Sequence, residues 1–266
     1  MTRRTRPALL PVAIPVGVIA VWEIALRVLH VPGYVLPLPS AIAHKVITDW
    51  PVLLGGVATT LAEAVAGFVI GNVCGFLLAV LFFYRPLLGR LAMLPMVASN
   101  SVPAVAFAPV VVLWFGVGVA SKIVLVAFIT AFIMLQNELQ GLRQVDAQAV
   151  NVLRSFGARE WRVFWMLRFP ASLPYVLTAL RLGSIRSVII AIVAEMLGAY
   201  RGIGWVIFET TASMDFSRLW AAVAAASMAG VAFFALVSAL ERRLVWWHVS
   251  VSGTSRRTRR RTRGAA

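Results

Sequence analysis

Two acids, a polar triplet and one basic loop hold most of the chemistry this chain has to offer. Glu63 falls inside an apolar run from about Val57 to Tyr84, and Glu195 near the end of another from about Pro174 to Gly198. A charge at the centre of a bilayer costs roughly 2.5–3.5 kcal/mol on insertion scales, so such a group has a partner, an interfacial position or a function. Ser99, Asn100 and Ser101 sit between Pro95, Pro103 and Pro109 in a third apolar run. Prolines remove backbone hydrogen bonds, and a break at membrane depth is tolerated where the freed groups meet protein or a water-filled cavity. The triplet is thus a candidate lining for a translocation path, as are Glu63 and Glu195; the alternative is that the triplet re-satisfies a kinked backbone and that either acid pairs with an arginine. The only lysines are Lys45 and Lys122, and no glycine-rich phosphate loop precedes either of them. One cysteine, Cys74, and three scattered histidines, His30, His44 and His248, give neither a disulfide framework nor a metal cluster. No catalytic set, metal or cofactor is expected on this chain.

The basic loop runs from Val145 to Pro174, between two apolar runs. Val145, Ala149, Val152, Leu153 and Phe156 recur at helical spacing and predict a short helix with one apolar face. Gly157 follows, where a left-handed residue stops a helix. A second amphipathic segment carries Trp161, Phe164, Trp165 and Arg168 on one side; Pro170 and Pro174 are expected to end it and open the next run. Two helices joined by a glycine turn make a docking element rather than a linker.

The remaining elements must hold these residues in a membrane. Hydrophobic residues are 61% of the 266 and charged residues 13%, far from the soluble mixture of about half apolar and a quarter charged. Six spans are expected, at about 8–29, 57–84, 91–115, 119–135, 174–198 and 219–240. They leave a basic N-terminus at 1–7, a coupling loop at 138–172, and a basic, Ser/Thr-rich tail at 242–266 that is expected to stay disordered. Between the first two spans, a short interfacial helix with Ser40 as its cap is expected. Gly67, Gly71 and Gly75 form a small-residue stripe for close helix packing. The net charge of +15 is concentrated at span flanks, which argues for lipid headgroups rather than nucleic acid. Twenty of the 25 Lys and Arg residues fall on the side of the termini and the Val145–Pro174 loop, which places those segments in the cytoplasm.

Gly157, nine residues, then Leu167-Arg168-Phe169-Pro170 resembles the loop signature of permease subunits of bacterial ABC importers. That signature begins Glu-Ala-Ala; this chain has Asn151-Val152-Leu153 there. Further matching pieces are Pro103–Gly118, Ser121–Ile123, Leu173–Gly183 and Ile192–Ile207. The chain is similar to the nitrate/sulfonate/taurine-type branch, which also holds importers of thiamine-precursor pyrimidines. The resemblance implies an all-α, type I importer permease with a coupling helix between the fourth and fifth spans, working as a dimer in the bacterial inner membrane. It implies a cytoplasmic ATPase dimer carrying ATP and Mg, and an extracytoplasmic binding protein that delivers a small solute. It makes Asn151, Val152, Leu153, Arg154, Ser155, Phe156, Gly157, Ala158 and Arg159 the ATPase-coupling residues, with Leu153 and Phe156 as apolar anchors. The rival reading is a secondary transporter driven by an ion gradient; it predicts paired half-repeats and more mid-membrane acids than the chain contains.

Overall fold

The computed structural model describes residues 10–244; the expectations for residues 1–7 and for nearly all of the tail lie outside them. The described residues form helices and turns only. In chain order these are α1 Leu10–Val28, α2 Pro39–Thr48, α3 Trp50–Tyr84, α4 Pro86–Ser101, α5 Ala104–Phe115, α6 Val119–Arg143, α7 Ala147–Ser155 and α8 Glu160–Val163. A π-helical turn, Phe164–Arg168, leads into α9 Phe169–Gly198, followed by α10 Ile203–Ala212 and α11 Phe216–Leu244.

Among the described residues four helices are long and apolar enough to cross a membrane: α3, α6, the continuous stretch Glu160–Gly198, and α11 over Phe216–Glu241. The third expected span is not one rod. Its two halves, α4 and α5, meet at 101° around Val102 and Pro103, and count together as a broken fifth. Pro103, which lacks an N–H, stands at the head of α5, so the polar triplet lies at the break. The first expected span is helical from Leu10, with Ile14, Val16, Val18 and Val21 exposed on its surface as a lipid-facing helix requires.

Packing centres on α3, α6 and α9. The Gly67–Gly71–Gly75 stripe lies directly against α6: an added Cβ would stand 2.6 Å from Val126 Cβ, 2.4 Å from the Ala127 carbonyl oxygen and 2.3 Å from that of Ala131. Without glycine the two backbones could not approach so closely. Phe68 meets Phe233 of α11 edge to face at 5.4 Å, in a core with Val126, Ile129, Val188 and Ala191.

Three local expectations are corrected. Ser40 does not cap α2: Leu38 and Pro39 occupy its start, and Glu23 of α1 instead accepts the Ser40 N–H at 3.0 Å and its hydroxyl at 2.8 Å. The fourth span does not stop at residue 135 but runs to Arg143 as one helix. Pro170 and Pro174 do not separate two helices, because the chain is helical from Glu160 to Gly198. The π turn explains the tolerance: Phe169 N–H bonds to Phe164 O, five residues back, and the widened turn gives room where the Pro170 ring would clash with the carbonyl four residues before it.

Candidate functional site

The described residues place the singled-out side chains in three regions. The first is the helix pair after α6. Asp146 caps α7, its carboxylate accepting the Gln148 N–H at 2.9 Å. At the other end Gly157 adopts φ +79°, a left-handed conformation that favours glycine. Gly157 N–H donates to Arg154 O at 2.9 Å and Ala158 N–H to Leu153 O at 3.1 Å, the paired bonds of a Schellman stop. Arg154 Nε donates to Glu160 Oε1 at 2.9 Å across this turn, an exposed pair that orients α7 on α8 more than it stabilises them.

The apolar face of α7 is split. Val150 is buried and Leu153 half-buried against the rest of the chain, whereas Val152 and Phe156 face outward, Phe156 with 82% of its surface exposed. Of the two expected anchors, Phe156 is therefore presented and Leu153 is partly used internally. Asn151, Arg154, Ser155 and Arg159 are exposed beside them, and Ala158 is half-buried. Behind this element Trp161, Phe164, Trp165, Phe169 and Tyr84 form a chain of tilted and edge-to-face rings, with Arg168 4.6 Å over the Phe83 ring.

The second region is a buried polar cluster at the opposite end of the bundle. Glu195, fully buried on α9, accepts the Thr60 hydroxyl, whose oxygen lies 2.7 and 2.9 Å from its two oxygens, and the Gly204 N–H at 2.7 Å. Thr60 Oγ1 in turn accepts the Ile203 N–H at 2.9 Å. Two of the unpartnered N–H groups at the start of α10 are thus satisfied from α3 and α9. Lys122 is buried beside them and donates to Gly118 O at 3.1 Å and to the carbonyls of Val117 and Gly198, the last being the end of α9. A cation at that end complements the helix dipole. Glu63 is buried next to Glu195 and Lys122. Gly202, at φ +103°, lets the chain pass Glu195: a Cβ there would lie 2.1 Å from Oε1.

The third region is a cavity of about 420 Å³ at the α4–α5 break, with Ser101, Pro103, Phe132, Gln136, Arg186 and Ile190 among its lining. Ser99 is half-buried and Ser101 exposed, their hydroxyls bonded back to Pro95 O at 2.8 Å and Val97 O at 3.0 Å. The side chain of Asn100 is outside the described residues. Glu63 and Glu195 are absent from this lining, so the five residues grouped as a path in the sequence fall into two separate places.

The formylaminopyrimidine transport permease protein ThiX of Halalkalibacterium halodurans is 31% identical, covering 92% of this chain and 98% of its own length. The taurine transport system permease protein TauC of Escherichia coli is 26% identical over 90% of this chain and 91% of its own. The fold matches an inward-facing structure of the MetNI methionine ABC transporter with a TM-score of 0.58 at 19% identity, covering 72% of this chain and 97% of that one. The model of the binding-protein-dependent transport system inner membrane component family matches residues 71–246. The chain belongs to this family.

In this permease, sequence reasoning missed four residues. Lys122 reads as an outer-side charge at the start of the fourth span but is buried. Glu138 reads as the lead into a loop, yet it is fully buried in α6; its Oε1 accepts the Ser172 hydroxyl at 2.8 Å, and its Oε2 has no partner among the described residues. Gln136 and Arg186 are the polar side chains that α6 and α9 bring to the cavity. The one available signal was the charge itself: Arg186 lies 12 residues, about 18 Å, before the end of α9, too deep for a simple flank.

Proposed function

We propose that this permease forms, with a second copy of itself, the membrane path of an ATP-driven importer for a small solute. A cytoplasmic ATPase dimer docks on α7, and an extracytoplasmic binding protein delivers the solute to the end bearing α10. The observation that carries this reading is the outward-facing Val152–Phe156 edge of α7, fixed by a capped start and a Schellman stop and held away from the bundle. An apolar edge on a short rigid helix fits a groove in a partner, as in helix-in-groove recognition. The chain has no phosphate loop of its own, so ATP and Mg belong to the partner. The excess of Arg at the α7 end and around the termini supports a cytoplasmic location for both. The relatives named for formylaminopyrimidine and taurine support a compact polar cargo.

Gentle solubilisation from the native host and mass spectrometry of what co-purifies tests the proposal. A Walker-motif ATPase and a secreted binding protein are expected with the wild type. Phe156→Asp should keep its thermal stability within about 0.5 kcal/mol, as an exposed substitution does, yet lose the ATPase. An ATPase retained in full by a folded Phe156→Asp variant would overturn the docking assignment.

A further inference from the structure

The cavity at the α4–α5 break has one charged lining residue, Arg186, and its guanidinium makes no hydrogen bond or ion pair with any described residue. Gln136, also exposed, stands on α6 across from it and is likewise unengaged. An arginine deep in a span faces the bundle interior or water, and its cost is recovered only by a partner. Lys122, a buried cation of the membrane region, has three carbonyl partners, so this chain does supply partners where a cation serves architecture. Arg186 has been left its donors. The surrounding volume of about 420 Å³ suits a small molecule, and apart from Ser101 the rest of the lining, including Phe132, Ile133 and Ile190, is apolar. A guanidinium and a carboxamide lining one small space match an oxyanion, which arginine grips with two parallel N–H bonds.

We infer that this cavity is a contact site for the passing solute, with Arg186 and Gln136 recognising an anionic group such as a sulfonate, carboxylate or phosphate. The inference rests on the transport reading above, and it makes Arg186 the residue that sets charge preference within the membrane.

Thiol labelling of the full-length permease in nanodiscs tests it without any partner chain, so its outcome is separable from the co-purification result. The native Cys74 is removed as Cys74→Ser, and Ser101→Cys is introduced as the reporter. Its reaction rates with the anionic sulfonatoethyl methanethiosulfonate and the cationic trimethylammonioethyl analogue are compared, normalised to Phe156→Cys as an aqueous reference. The anionic reagent is expected to be favoured. Arg186→Gln should lower the anion-to-cation ratio about tenfold, the scale of one partly screened charge nearby, while Arg186→Lys keeps it. Raising the ionic strength should lower the ratio in the Arg186 parent, a readout that needs no substitution at that position. Two results would overturn the inference: no reaction at Ser101→Cys while Phe156→Cys reacts, or a ratio indifferent to both Arg186→Gln and salt.

Discussion

Two polar clusters lie within the membrane part of this permease, and they are built on opposite terms. At the α10 end, Glu195 accepts from Thr60 and Gly204, Thr60 accepts from Ile203, and Lys122 donates to three carbonyls, with Glu63 Oε2 alone in this group lacking a described partner. At the α4–α5 break, Arg186 and Gln136 face a cavity with no described partner. Both clusters put polar groups where hydrocarbon penalises them. The first offsets that cost internally and so fastens α3, α6, α9 and α10 together; the second leaves it open for something that arrives. Polarity in a span is therefore not by itself a mark of a path; what separates the two roles is whether the polar groups are closed inside the bundle or open to a cavity.

The sharpest way to break that contrast is Glu195→Leu. It removes the acceptor of Thr60 and Gly204 and leaves Lys122 with one fewer acid beside it. Leaving a buried donor unsatisfied costs about 1–3 kcal/mol, and two donors lose this acceptor, so unfolding in detergent, followed by intrinsic fluorescence, should shift far down in temperature. An unchanged midpoint would mean the cluster is not a fastening. Gly71→Ala comes next: its Cβ would stand 2.0 Å from Thr130 Oγ1 and 2.4 Å from Ala127 O. Overpacking of this kind costs about 1–3 kcal/mol. Adding Thr130→Ala should recover only part of the loss, since the Ala127 carbonyl is backbone and cannot be trimmed. Asp146→Ala should cost about 1 kcal/mol, the usual worth of an N-cap. Hydrogen exchange should quicken across Ala147–Ser155 and stay unchanged near Glu195; exchange altered at both ends would show that the two ends are not independent. The smallest effect belongs to Arg186→Gln, expected to leave stability within about 0.5 kcal/mol. A loss comparable to that of Glu195→Leu would erase the distinction drawn between the clusters.

How much of this was legible in the sequence depended on the reach of the interaction concerned. Gly157 announced its turn, because a glycine after a short amphipathic helix has a local reason to be there, and its φ of +79° follows from that reason. The membrane class, the all-helical fold and the family were legible for the same reason, being carried by composition and contiguous motifs. The proline rule misled at Pro170, where a single wider turn absorbs the missing bond, and at Pro103 it underestimated the effect, since the chain turns through 101° there. Lys122, Glu138 and Arg186 were illegible because their roles depend on helices distant in sequence. Lys122 reaches the end of α9, Glu138 meets Ser172, and Arg186 faces a cavity that α4, α5 and α6 complete. Nothing near them in the chain distinguishes the satisfied charge from the free one. Val152 and Leu153 show the same limit on a smaller scale: adjacent and both apolar, they divide between outside and inside only once α7 is seated.

The uninterrupted passage from Glu160 to Gly198 has a mechanical consequence. From Phe169 onward it is a rod of 30 residues, about 45 Å long, whose near end adjoins the element that carries Phe156 and whose far end carries Glu195. A tilt of about 5° applied at the near end moves the far end by about 4 Å, more than the length of a hydrogen bond, with no residue along the rod changing conformation. Under the transport reading proposed above, the π turn at Phe164–Arg168 would be the joint of such a lever, and its stiffness would set how much of a docked partner's stroke reaches the far end of α9.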